Sequence, residues 1–179
     1  MSSSLKIPLS LNALPEVLSK PLLEVEIQCH TNWCWSAVAV SIAKFYNAAS
    51  VWTQCSLVNI ELGQSDCCSD GGSDECNRQG SLMDALKRTM NFGLRSEGIL
   101  DPTVVAGELK ARRPIGVRLE REDLSAHFVA IVDFTLLPNG SMIVGIADPI
   151  SGPLSCSLKE LNDTRTAIGH VSHVYTTKA

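Results

Sequence analysis

The sequence predicts an α+β fold in which a helical first half packs against an antiparallel sheet formed by the second half. Three observations predict it. Residues 34–47 form an apolar run with one charge, Lys44, and further helical patterns follow it. After about residue 113 the chain changes to short runs rich in valine and isoleucine, separated by turn residues. Helical and strand patterns that are segregated along the chain are typical of this class.

The helical half is predicted from hydrophobic spacing and from capping residues. Apolar side chains lie almost all round the first segment, as expected of a central helix that is buried on most faces. Ser81 is expected to cap one helix, and the Asp101-Pro102 pair to open another. Four helices are predicted on these grounds, over 34–47, 53–62, 82–91 and 102–112.

The β half is predicted from apolar, β-branched runs bounded by turn residues. The Leu-Pro-Asn-Gly turn at 137–140 joins two of these runs into an antiparallel hairpin. Strands are predicted over 114–119, 127–134, 142–147 and 166–176, with a helical turn over 157–162.

No internal repeat or low-complexity linker divides the chain. We therefore expect an N-terminal extension over 1–21 and a single domain over 22–179. Within that domain, the helical half is expected over about 28–112 and the β half over about 113–179.

Composition excludes several classes of protein. The 179 residues are 45% apolar and 19% charged, enough to bury a core of ordinary size. The net charge is −4 with no basic block, which argues against nucleic acid or an anionic membrane as the main partner. No apolar run approaches the roughly 20 residues of a membrane helix. The first twenty residues contain no uninterrupted apolar segment of the kind found in classical signal peptides.

Cys34 is the strongest candidate for a catalytic residue. It begins the apolar helix, and Gln28 lies six residues before it. A helix start gathers unpaired N–H groups and the positive end of the peptide dipoles, which favours a thiolate. We therefore predict that Cys34 is a nucleophile and that a further side chain takes its proton.

His127 is the candidate for that proton acceptor. It begins the run His-Phe-Val-Ala-Ile-Val, a pattern typical of a buried strand that would hold the ring rigidly. The next predicted strand ends at Asp148, immediately before Pro149. Antiparallel pairing would bring the two residues to the same end of the sheet, where the carboxylate could accept the imidazole N–H and fix its tautomer.

In that order, Gln28, Cys34, His127 and Asp148 resemble the catalytic residues of the papain-like cysteine peptidases. Cys34-Trp35-Ser36 is similar to the family's Cys-Trp-Ala/Ser signature, and Gln28 matches its oxyanion-hole position. The Asn-Trp-Cys-Trp run at 32–35 looks closer to small bacterial members, including effector proteases of plant pathogens. The resemblance implies a papain-like α+β fold with the cleft between the halves. The chain departs from the plant enzymes in having Asp148 where they have Asn, and Pro149 where they have a shielding tryptophan motif.

The resemblance implies hydrolysis of peptide bonds through a thioester, with a protein or peptide as substrate and no metal or cofactor. Isopeptidase, deamidase and acyl-transfer reactions on the same residues stay open, as does a binding module that kept the fold. Only about 27 residues precede Gln28, fewer than the usual inhibitory pro-segment. We therefore expect activity to be contained by export, by redox state or by an inhibitor or immunity protein. This favours a secreted or translocated bacterial toxin or effector, with a cytoplasmic location as the alternative.

Four of the seven cysteines crowd one acidic, glycine-containing stretch: Cys55, Cys67, Cys68 and Cys76. Such a stretch has little apolar content to hold it, and two disulfides would do so. Because adjacent cysteines rarely bridge each other, two connectivities are open: 55 with 67 and 68 with 76, or 55 with 68 and 67 with 76. A four-thiolate zinc site competes weakly, since paired C-x-x-C knuckles are absent, and a calcium loop or free thiols are further alternatives.

The other cysteines, histidines and tryptophans near these motifs are interpreted as structural. No orienting residue follows the Cys29-His30 pair, and the two tryptophans beside Cys34 are expected to pack in the core. The residues assigned in this way are Cys29, His30, Trp33, Trp35, His170 and His173.

Overall fold

The computed structural model of the chain describes residues 16–17, 23–121, 125–163 and 169–179. Most of the predicted extension over 1–21, and the first residues of the strand predicted over 166–176, lie outside these ranges. The described residues form five helices: α1 (Cys34–Tyr46), α2 (Gln54–Leu62), α3 (Leu82–Arg88), α4 (Pro102–Lys110) and α5 (Leu158–Asn162). They also form seven strands: β1 (Glu16–Val17), β2 (Phe92–Glu97), β3 (Ile115–Glu120), β4 (Ala126–Leu136), β5 (Met142–Asp148), β6 (Gly152–Ser157) and β7 (His170–Thr177).

All seven strands belong to one antiparallel sheet. The order is β2-β7-β3-β4-β5-β6, and β1 pairs with the far end of β4. Helices together with a purely antiparallel sheet confirm the predicted α+β class.

The alternating side chains of β4 separate two apolar cores. Phe128 and Ala130 pack with residues of α1, α2 and α3, whereas Val129 and Ile131 pack with residues of α4 and α5. Successive side chains of a strand point to opposite faces of its sheet, so helices cover both faces of this one. The first core positions the candidate site, because it holds α1 against β4.

The helix α1 is buried along most of its length, as its sequence predicts. All residues from Cys34 to Ala43 are buried. The hydroxyl of Ser41 donates to the carbonyl of Ala37 at 2.7 Å, and the same oxygen accepts the N–H of Glu26 at 2.8 Å. This second bond holds the segment that leads to Gln28 along the side of α1.

The helix predicted over 82–91 is shorter than expected. It ends at Arg88 because Met90 takes a left-handed conformation with φ of 70°, and the N–H of Asn91 bonds to the carbonyl of Leu86 at 2.8 Å. Glycine usually occupies this position of a helix terminus, so a methionine there carries no stop signal.

Besides the two-residue β1, two strands of the sheet, β2 and β6, are absent from the sequence prediction. Both lie at the edges of the sheet and are largely exposed, so they lack the apolar alternation that marks a half-buried strand. The helical half was expected to continue to residue 112, but β2 pairs with β7, and Val105 and Leu109 of α4 pack on the opposite face of the sheet from α1. Among the described residues, no helix is both long and apolar enough to cross a bilayer.

Candidate active site

His127 and Asp148 lie side by side, at the start of β4 and at the end of β5. The Nε2 atom of His127 is 2.8 Å from Oδ1 of Asp148, and only 3% and 6% of the two residues is exposed. The same carboxylate oxygen accepts the backbone N–H of Ile150 at 2.7 Å. The antiparallel pairing of the two strands therefore produces the juxtaposition that the strand order suggests.

The surroundings of this pair favour its charged form. Burial lowers the pKa of His127, but hydrogen bonds with Asp148 and Cys34 outweigh this effect and raise the pKa to about 9. Burial raises the pKa of the Asp148 carboxyl, and hydrogen bonds from His127 and from the N–H of Ile150 reverse this and lower it. Near neutral pH the pair is therefore an imidazolium beside a carboxylate.

Cys34 is the first residue of α1, and its interaction with the imidazole of His127 helps to raise the pKa of that ring. It is 3% exposed. The residue before it, Trp33, is the N-cap of the helix and makes no side-chain cap, while its carbonyl accepts the N–H of Ala37 at 2.9 Å. Because Asp148 faces Nε2 of His127, the Nδ1 atom is the one left to exchange a proton with the thiol.

Gln28 lies on the segment before α1, but its amide group is already engaged. Its Nε2 atom donates to the carbonyls of His30 at 2.9 Å and Thr31 at 2.8 Å, which uses both amide hydrogens. Its Oε1 atom is buried and has no hydrogen-bond partner among the described residues. The backbone N–H of Gln28 bonds to the carbonyl of Pro149 at 2.9 Å, which ties this segment to the loop after Asp148. A role in an oxyanion hole stays a prediction, and it requires the amide to release one of the two carbonyls.

A cleft of about 520 Å³ opens beside these groups. Gln28, Thr31 and Asn77 line one part of it, and Pro149 and Ile150 line another. The cleft therefore adjoins both the segment before Cys34 and the loop after Asp148.

Sequence reasoning missed the residues that hold the segment before Cys34. Gln54, in the first turn of α2, is 4% exposed; its Oε1 accepts the N–H of Cys29 and its Nε2 donates to the carbonyl of Ile27, both at 2.9 Å. Asn77 and Gln79 follow the cysteine-rich stretch. Asn77 bonds to the segment before Cys34, and Gln79 bonds to the carbonyl of Ala126, next to His127. No spacing rule singles these amides out, since each is an ordinary polar residue until the chain around it folds.

The cysteine-rich stretch contains two disulfides, and they follow the second of the two connectivities left open. Cys55 is bonded to Cys68 and Cys67 to Cys76. The zinc alternative fails, because all four sulfurs are paired with each other. In the part of the chain that the structure describes, the one group of potential metal ligands combines Asp66 with the sulfurs of the Cys67–Cys76 bond.

The residues interpreted as structural have contacts of their own. Cys29 is an exposed free thiol, and the ring of His30 packs edge-on against Trp33 with centroids 4.4 Å apart. His173 lies on β7, where it stacks on Tyr175 and approaches Glu97 at 3.7 Å.

Comparison with known proteins identifies the fold and no sequence family. No family profile matches the chain, and no curated protein matches it in sequence. Among solved structures, the chain is similar to a double glycine motif protease from an AMS/PCAT transporter, whose crystal structure holds a leader peptide. The TM-score is 0.52 with 14% sequence identity, and the match covers 93% of this chain and 99% of that one. The two proteins therefore share the fold of a protease, with the same combination of helices and antiparallel sheet.

Proposed function

We propose that the protein is a papain-like cysteine peptidase in which Cys34 is the nucleophile, His127 the general acid and base, and Asp148 the residue that orients the imidazole. One observation carries the proposal: His127 is hydrogen-bonded to Asp148 at 2.8 Å, and the same imidazole interacts with Cys34, which helps to raise its pKa. A thiol, an imidazole and a carboxylate joined in this order are the components of a thiol hydrolase.

The mechanism follows from these positions. Cys34 and His127 form a thiolate–imidazolium pair, in which the thiol proton resides on His127, and the thiolate attacks the carbonyl carbon of the scissile amide. The N–H of Cys34 and the amide of Gln28 donate to the oxyanion that forms. The imidazolium then gives its proton to the leaving amine as the C–N bond breaks, which leaves a thioester on Cys34. Water then gives a proton to His127 and attacks the thioester. The acid is released, and the thiolate–imidazolium pair is restored.

The substrate is proposed to be a protein or a peptide. A cleft of about 520 Å³ lies beside Gln28 and Ile150, and the double glycine motif protease of the same fold was crystallised with a peptide. The Asn-Trp-Cys-Trp run at 32–35, which is similar to that of bacterial effector proteases, supports a bacterial toxin or effector.

The two disulfides support a destination outside the reducing cytosol, because such bonds persist in oxidising compartments. A secreted or translocated protein would meet these conditions. An inhibitor or immunity protein that covers the cleft would then protect the producing cell.

The decisive experiment combines labelling with product analysis. The protein is treated with an epoxide inhibitor of cysteine peptidases, the labelled residue is located by mass spectrometry, and new N-termini are identified after incubation with a cell lysate. We expect the label on Cys34, new N-termini from cut peptide bonds, and the loss of both in Cys34→Ala. Cys29→Ala is the matched control, because it removes an exposed free thiol from the same segment.

Label on Cys29 that survives Cys34→Ala would overturn the assignment of the nucleophile. Label on Cys34 without new N-termini, but with isopeptide cleavage, deamidated glutamine or acylated amines, would replace peptide hydrolysis by one of the other reactions of the same residues.

A further inference from the structure

Five residues, from Cys76 of the second disulfide to Gly80, connect the cysteine-rich stretch to α3. We call this segment the arm. It contains neither helix nor strand, and Ser81, which follows it, caps α3. Its conformation therefore depends on its contacts and on its two ends.

The centre of the arm binds the residues just before Cys34. Asn77 accepts the backbone N–H of Asn32 through Oδ1 at 3.0 Å and donates to the hydroxyl of Thr31 through Nδ2 at 2.8 Å. The side chain of Asn32 donates in return to the carbonyl of Asn77 at 2.7 Å. Three hydrogen bonds thus join one residue of the arm to two neighbouring residues of the segment that leads to the thiol.

The arm also holds the two tryptophans that flank Cys34. The indole N–H of Trp33 donates to the carbonyl of Cys76 at 2.8 Å, and that of Trp35 approaches the carbonyl of Arg78 at 3.3 Å. The two tryptophans are 1% and 0% exposed. A Cβ at Gly80 would lie only 2.5 Å from the ring of Trp35, so the arm contacts this ring directly.

The far end of the arm reaches the other half of the site. The amide of Gln79 donates to the carbonyl of Ala126, the residue immediately before His127. The arm therefore spans the two elements whose relative position decides whether the thiol meets the imidazole.

One disulfide anchors the arm and the other does not. The Cys67–Cys76 bond joins the first residue of the arm to Cys67, whose N–H bonds to Asn59 of α2 at 2.8 Å. The Cys55–Cys68 bond closes the same stretch onto α2 without including any residue of the arm.

We propose that the arm is a positioning element for Cys34, that Asn77 is its principal positioning residue, and that the Cys67–Cys76 disulfide keeps it in place, so that activity requires the oxidised protein. This inference rests on the proposed function. Reduction by a dithiol would transfer two electrons and two protons to the bond, giving the thiols of Cys67 and Cys76 and the oxidised reductant. The arm would then lose its covalent anchor while the helix that carries Cys34 stays intact.

The first test replaces the positioning side chain. Asn77→Ala is expected to lower kcat by about 10- to 100-fold, the effect of a small misplacement of a reacting group, with little change in KM. The rate at which iodoacetamide alkylates Cys34 should fall as well, and this readout requires no substrate. Asn77→Asp keeps an oxygen for the N–H of Asn32 and can accept from Thr31, so it should restore most of both rates.

Asn139→Ala is the matched control. Asn139 is an exposed turn residue whose side chain accepts one backbone N–H, from Ser141 at 3.0 Å, on the β4–β5 hairpin. It should leave both rates unchanged. Wild-type kcat and alkylation in Asn77→Ala would overturn the proposal.

The second test compares the two disulfides. The double variant Cys67→Ser/Cys76→Ser is expected to lose about tenfold or more in the rate of Cys34 alkylation and in kcat, whereas Cys55→Ser/Cys68→Ser should lose far less. Equal losses in the two variants, or none in the first, would contradict the anchoring role. If the first variant does not fold by circular dichroism, the rate of Cys34 alkylation in Cys55→Ser/Cys68→Ser before and after reduction by a dithiol decides the question, because that variant keeps the Cys67–Cys76 bond alone.

The two proposals fail in different ways. A wild-type protein that cleaves nothing contradicts the peptidase function. The alkylation rates of Cys34 in the variants test the positioning role in either case.

Discussion

The two sides of the candidate site are built by different means. His127 and Asp148 are placed by two strands that pair along six residue pairs, with one irregularity between Ile131 and Asp133. Cys34 and Gln28 depend on an irregular segment held by a few side chains, chiefly Gln54 and Asn77, and by one disulfide. The sheet side can lose a single contact and keep its geometry, whereas the loop side has few bonds to spare.

The largest effect is expected on the sheet side, from a substitution that removes a reacting group rather than displacing one. His127→Ala should lower kcat/KM by about 1,000-fold or more through loss of the proton acceptor. Peptide hydrolysis and alkylation of Cys34 both measure it. His173→Ala serves as the control, since that histidine lies on β7 beside Glu97 and Tyr175. Near-normal turnover in His127→Ala would remove this residue from the mechanism.

The next effect tests the loop side. Gln28→Ala should lower kcat by about 10- to 1000-fold with little change in KM, because an oxyanion donor acts mainly on the tetrahedral intermediate. Steady-state kinetics separates the two parameters. A change confined to KM would make Gln28 a residue that binds substrate. A loss of stability at unchanged kcat would mean that its amide serves only the carbonyls of His30 and Thr31.

A smaller effect on rate, with a distinct signature, is expected from Asp148→Asn. The hydrogen bond that His127 donates to Asp148 helps to raise the pKa of His127 to about 9, so the wild-type imidazolium persists up to that pH. Without the carboxylate, the pKa should move down towards the ordinary value of about 6.5. The high-pH limb of the kcat/KM profile should therefore move to lower pH. An unshifted limb would show that Asp148 does not determine the pKa of the His127 imidazole.

The same pair predicts how stability depends on pH. A raised pKa for His127 stabilises the fold fully below about pH 6.5, and this contribution disappears as the pH rises through about 9. The lowered pKa of Asp148 stabilises the fold at pH values above the ordinary pKa of an Asp carboxyl. This contribution is lost as the pH falls through the lowered pKa. The difference in unfolding free energy between wild type and Asp148→Asn should therefore be largest between about pH 4 and 6.5. Urea unfolding at pH 5.5 and pH 9.5 measures it, and an equal difference at both values would contradict the ion pair.

The smallest effect concerns the support of the loop side. Gln54→Ala should lower the free energy of unfolding by about 1 to 3 kcal/mol, because it leaves the N–H of Cys29 and the carbonyl of Ile27 without their partner. Gln64→Ala is the control, since that amide makes one 3.5 Å contact with the carbonyl of Leu62. Similar values for the two variants would show that the segment before Cys34 does not depend on Gln54.

The difference between the two sides also explains what the sequence could predict. The strands that carry His127 and Asp148 have clear apolar runs and a turn between them, so their pairing and its consequence follow from local pattern. The α1 helix is predicted for the same reason. The cysteine-rich stretch is predicted to be cross-linked, and one of its two open pairings is found.

What the sequence could not predict depends on long-range contacts of ordinary residues. Asn77 and Gln54 become important only because folding brings them into contact with Asn32 and Cys29, which precede them in the sequence by 45 and 25 residues. The amide of Gln28 makes two local bonds that no spacing rule anticipates. The edge strand β2 shows no apolar alternation, because five of its six residues are exposed to solvent.

Burial of Cys34 has a consequence for how the molecule matures. A chain with seven cysteines must oxidise four of them while one stays reduced, and thiol–disulfide exchange is limited by access to the sulfur. Cys34 is 3% exposed, whereas Cys29, five residues earlier, is open to solvent. Mispairing with other protein cysteines should therefore fall on Cys29 more often than on Cys34, in the same oxidising surroundings that the two disulfides require.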